Sequence, residues 1–130
     1  MITHPKAEEL AQAVALWIDQ IRPSLDPRNA FLARVAVNVL GVVGRELAQG
    51  PEAEATAAKL MAELLGHEGN HAHLNAELCA AIRAGELTVE TPGLLAALQT
   101  MARDQIAIDQ PNYQAEGTSF PAKRERGTAR

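Results

Sequence analysis

Apolar residues recur along this chain at three- and four-residue spacing in five successive runs, each bounded by proline or glycine. That spacing puts apolar side chains on one stripe of a helix. The first run, Leu10, Val14, Trp17, Ile18 and Ile21, predicts a helix opening at Thr3-His-Pro5, a cap followed by a first-turn proline. Pro23 and Pro27 bound a short link, and Asp26-Pro27 starts a long second helix that should end before Gly50-Pro51. Pro51 starts the third, with Leu60, Met61, Leu64 and Leu65 inward and Gly66 as its stop. The fourth covers about His71 to Ala84, with Leu74, Leu78, Ala81 and Ile82 inward and Gly85 as its stop. Thr91-Pro92 opens the fifth, which uses Leu94, Leu95, Leu98, Met101, Ala102 and Ile106 and stops before Pro111. No segment alternates with the two-residue period of a strand. The pattern predicts an all-α fold, a compact up-and-down bundle of about five helices over residues 1–113. Residues 114–130 mix Gly, Thr, Ser, Pro, Lys and Arg and read as a flexible, disordered basic tail.

The second helix is the most telling. Arg34, Asn38, Gly41 and Arg45 share one narrow stripe, and Phe31, Val35, Val39, Val42 and Val43 fill the broad arc beside it. Glu46 falls inside that arc. A carboxylate aimed at a core needs a cation or hydrogen-bond donors, because an unpaired buried charge is very costly. Asn75 projects between Cys79 and Ile82 on the fourth helix, and Gln105 and Asp109 project among Leu98, Met101 and Ile108 on the fifth. These positions predict either a satisfied core network, with Arg34, Arg45 and Arg83 as the cations, or a pocket or interface that holds Arg34 or Arg83 outward. Gly41 and Gly44 each cost ~1 kcal/mol in a helix interior. Close approach by another helix backbone is the expected compensation.

Composition narrows the function classes. The chain carries a net charge of −4 and only four aromatics, Trp17, Phe31, Tyr113 and Phe120. The tail holds Lys123, Arg124, Arg126 and Arg130 against Glu116 and Glu125, so the body is more acidic than the whole. An acidic body without stacking rings does not suit nucleic acid. The lone Cys79 forms no intrachain disulfide and reads as a small buried hydrophobe. With no signal-like or membrane-spanning apolar run, the expected setting is the cytoplasm.

Catalytic motifs are sparse. His67-Glu68-Gly69-Asn70-His71 matches the H-E-x-x-H pattern of zinc hydrolases, which needs both histidines one turn apart on a continuous helix. Gly66 and Gly69-Asn70 place this copy across a loop, so a His67–His71 metal site is the remotest reading. No phosphate-cradling glycine loop is present, and the two serines lie in connecting or terminal segments. No cofactor is expected.

Three stretches, Arg34-Val-Ala-Val-Asn-Val-Leu with Arg45-Glu-Leu47, Leu74-Asn-Ala-Glu-Leu78 with Ile82-Arg-Ala-Gly85, and Ile106-Ala-Ile-Asp-Gln-Pro-Asn-Tyr113, resemble a family of small bacterial helical domains of unknown function (DUF6285-like). The resemblance covers roughly residues 5–113. That family is associated with aminoglycoside-phosphotransferase-like kinases and acyl-CoA dehydrogenases, and one relative looks like the accessory subunit of a 4-hydroxyacyl-CoA kinase. The resemblance implies a non-catalytic partner of a phosphotransferase-fold kinase in hydroxyacid or acyl-CoA catabolism. It falls on Arg34, Asn38, Arg45, Glu46, Asn75, Arg83, Asp109 and Tyr113. Such a subunit should expose an apolar patch edged by the Arg34–Arg45 stripe, and that patch also allows a homodimer. The alternative is a binder of a small acyl or phosphate-bearing ligand, held in a cavity tipped by Arg83 or Arg34.

Overall fold

A computed structural model describes residues 4–113, so the predicted tail and Thr3 lie outside the described residues. Four α-helices follow in order, α1 (Ala7–Ile21), α2 (Pro27–Leu65), α3 (His71–Arg83) and α4 (Leu94–Asp109). A short 3-10 turn, Arg22–Ser24, links α1 to α2. No strand occurs among the described residues, so the all-helical expectation holds.

The count of five helices is corrected to four, because α2 runs unbroken through Gly50-Pro51 for 39 residues. Proline inside a helix loses one hydrogen bond, clashes with the preceding turn and costs ~3 kcal/mol. Two features offset that cost here. Gly50 has no Cβ to meet the proline ring. The arc beyond it buries Ala57 and Met61 against Leu74, Leu78 and Leu94. Each large side chain so buried is worth about 1.5–3 kcal/mol, more in sum than the proline removes.

Helix ends follow local chemistry. The Asp26 carboxylate accepts from the Asn29 amide at 3.3 Å and caps α2, and Asn70 accepts from the His73 amide at 2.9 Å and caps α3. Gly66, at φ 81°, ends α2 as predicted. Two starts differ from expectation. The Glu9 carboxylate accepts the Lys6 amide at 2.8 Å, so α1 opens several residues after Thr3. Thr91 Oγ1 accepts from the Thr88 amide at 2.9 Å, and that engagement closes a turn instead of capping α4, which begins after Gly93.

Every other helix packs on α2, and α1 touches neither α3 nor α4. Both α1 and α4 run antiparallel to it. A Cβ on Gly44 would lie 3.9 Å from the Glu8 carbonyl oxygen, which places the start of α1 beside Gly44 at ordinary contact distance. At the far end Leu64 lies 3.8 Å from where a Cβ on Gly93 would be, while Ile108 reaches back to Arg45. The molecule is therefore built in two sections along one rod. The C-terminal section holds the core, with Met61 0 % exposed. The N-terminal section, α1 on the first half of α2, is a two-helix hairpin, and α1 contributes no buried residue.

Candidate functional site

Two kinds of surface stand out, an open apolar face on the hairpin and two concavities where α4 meets α2. All but Leu32 and Leu47 of the apolar face come from the apolar stripes that spacing predicts. Leu10, Val14 and Trp17 of α1, and Phe31, Leu32, Val35, Val39, Val43 and Leu47 of α2, are all exposed, Phe31 by 65 % and Trp17 by 58 %. The half-buried Ala11, Ala15 and Ile18 face α2, while Ala33 and Gly44 face α1. From those contact lines the exposed residues are turned by about 100° in the same rotational sense on each helix. In an antiparallel pair that sets both groups on one side of the hairpin. The same arc of α2 is covered by α3 and α4 further along.

On the other side of α2 a groove of about 620 Å³ is lined by Asn38, Gly41, Arg45, Asp109 and Tyr113, among others. Arg45 organises it. Its Nε donates to the Ile108 carbonyl at 2.7 Å, satisfying one of the last carbonyls of α4 at the negative end of the helix dipole. A Cβ on Gly41 would lie 3.1 Å from Arg45 Nη1, so this glycine makes room for the guanidinium and not for another helix, as the sequence had suggested. Asp109 accepts from Gln105 Nε2 at 3.0 Å. The two Nη groups, the Asn38 amide and the Tyr113 phenol are thus offered in a partly acidic groove, suited to polar groups of a partner.

The second cleft, about 400 Å³, lies between α2 and α4 with Glu46, Glu54, His71, Asp104 and Gln105 around Met101 and Ile108. No group of three His, Cys, Asp or Glu residues able to hold a metal occurs among the described residues. The two histidines of the zinc-like pattern take different surroundings. His71 lines this cleft, whereas His67 Nε2 pairs with Glu77 Oε2 at 2.8 Å. The Glu68 carbonyl beside Nδ1, and then the Glu77 carboxylate, hold the His67 pKa above its ordinary value.

The predicted buried network is not present. No polar or charged residue is buried among the described residues, and Glu46, Asn75, Gln105 and Asp109 are exposed. Glu46 and Gln105 stand at the rim of the open α2–α4 cleft and Asp109 at the rim of the Arg45 groove, so water reaches them. Arg34, Asn75 and Arg83 are exposed as well and line neither concavity. Cys79 is free and half-buried. The structure does unite Asn38, Arg45, Asp109 and Tyr113 in one groove, and Glu46 with Gln105 in the other. Sequence reading missed Glu54 and Asp104; their shared cleft depends on the α2–α4 contact, which no local spacing reveals.

Fold and surface together define a small all-helical protein mounted on one long helix, with an open apolar face and a polar groove behind it. Residues 23–113 match the family model described as a domain of unknown function, DUF6285, and the chain belongs to that family. No curated protein and no solved structure matches the chain. No described helix is long and apolar enough to cross a membrane.

Proposed function

We propose that this protein is a non-catalytic interaction subunit, and that the partner it serves is a phosphotransferase-fold kinase acting in hydroxyacid or acyl-CoA catabolism. The open apolar face carries the reading. Monomeric soluble proteins rarely keep contiguous apolar patches beyond a few hundred Å², and larger ones mark interaction surfaces. Nine large apolar residues on one hairpin offer on the order of 800 Å², one partner's share of a standard interface. The kinase as partner rests on the family resemblance. The Arg45 groove supports a polar contact with it, because arginine reads carboxylates in two-point fashion.

The test is gentle isolation of the tagged protein from its native cells with identification of co-eluting chains. A stoichiometric phosphotransferase-fold protein is expected, and Arg45→Ala should weaken its retention at least several-fold. If the chain elutes with no such kinase, the kinase reading fails, and if the apolar face retains no other partner the interaction reading fails with it.

A further inference from the structure

We propose that the open face of the α1–α2 hairpin is covered by the same face of a second copy of this chain, in an antiparallel two-fold pair centred at the level of Val37. The proposal rests on the reading of this face as an interface and names a second copy as its occupant, which leaves the Arg45 groove as the surface for the kinase. Three features point to a second copy over an unrelated chain.

The first is the layout of the apolar row. Phe31, Val35, Val39 and Val43 recur every fourth residue and straddle position 37 evenly, and Leu47, which continues the row, falls opposite the partner's Pro27, which is exposed. Antiparallel pairing about that point sets Phe31 against the partner's Val43, and Val35 against the partner's Val39. The largest side chain of the row therefore meets one of the smaller ones, the complementarity that an isologous contact requires.

Charge at the two ends of the row is the second. Arg28 precedes it and Glu46 follows it, each equally far from Val37. They are about five full helical turns apart, so they share one angular position inside the arc of the apolar row, Glu46 also lining the α2–α4 cleft. Both are exposed, and neither has a hydrogen-bonding or ionic partner among the described residues. Arg28 also sits in the first turn of α2, where the helix dipole disfavours a cation. Antiparallel pairing brings each Arg28 to the partner's Glu46, twice over. Parallel pairing would set like charges together, so the charges choose the orientation. A carboxylate expected to need a cation thus finds one across the two-fold axis.

Third, the patch is large enough. Leu10, Val14 and Trp17 flank the row, so two hairpins face to face build a four-helix interface. Its order of 800 Å² per copy is what a stable dimer needs.

Sedimentation velocity on the untagged full chain tests the pairing directly. The wild type should be a dimer at concentrations on the order of 10 µM, an ordinary range for an interface of this size. Arg28→Glu should weaken association at least ~10-fold by placing like charges at both ends. That substitution favours the α2 N-terminus, so loss of the dimer cannot be charged to loss of the helix. Glu46→Arg should do the same, and the double swap R28E/E46R should restore the dimer. A monomeric wild type, or a double swap no better than either single change, overturns the pairing. A monomer that still retains the kinase, and loses it on Val39→Asp, leaves the interface reading standing with a different occupant; a monomer that retains nothing removes both.

Discussion

Single side chains decide how each section of the rod is held. Met61 is fully enclosed by α3 and α4, so Met61→Ala should cost ~2–5 kcal/mol, read as a lower urea midpoint at unchanged slope. His67 adds a pH-sensitive tie between the α2–α3 loop and Glu77. Its pKa is raised in the folded state, chiefly by the Glu68 carbonyl and then by Glu77. The stabilisation is therefore complete below the ordinary histidine value of 6.5 and is lost as pH rises through the higher folded value. His67→Gln should flatten that slope in urea midpoints measured from pH 6 to 8. Asp26 behaves in the opposite sense. Hydrogen bonds from Asn29, backbone first and side chain second, depress its pKa, so its capping contribution is present at neutral pH and is lost only as pH falls below the usual carboxylate range.

At the level of elements, the decisive question is what Pro51 does. A proline at the first position of a new helix is favourable, whereas one in a helix interior costs ~3 kcal/mol. Since α2 is continuous, Pro51→Ala should stabilise the chain by roughly 1–3 kcal/mol in urea unfolding. A neutral or destabilising result would restore the two-helix reading of this region. That ambiguity explains what was legible beforehand. Asp26, Gly66, Asn70 and Gly85 act through neighbours in sequence, and they mark helix ends where expected. Gly50-Pro51 signals a boundary by the same local chemistry, and only packing by α3 and α4 overrides it. The apolar arcs were legible too, but an arc does not state whether anything covers it. Glu46 and Asn75 lie close to where spacing puts them and are exposed, Glu46 at the rim of the α2–α4 cleft. The groove was legible only as a set of separate residues, since it exists through the Arg45–Ile108 bond between distant segments.

The whole molecule is uneven in the depth of its packing. The C-terminal section encloses a core, whereas α1 leans on α2 with no buried residue. Amides of α1 should therefore exchange with deuterium markedly faster than those around Ala57–Met61 in the isolated chain, and should gain protection where the open face is covered. The unbroken α2 then sets a scale. At about 1.5 Å per residue, 39 residues make a rod of roughly 58 Å. In the antiparallel pair proposed above, the two Arg45 grooves would lie about 24 Å apart along the axis, on opposite outer faces. A pair so arranged is a bivalent platform of fixed pitch. Such a platform would hold whatever docks in the two grooves back to back, at a spacing the rod itself sets.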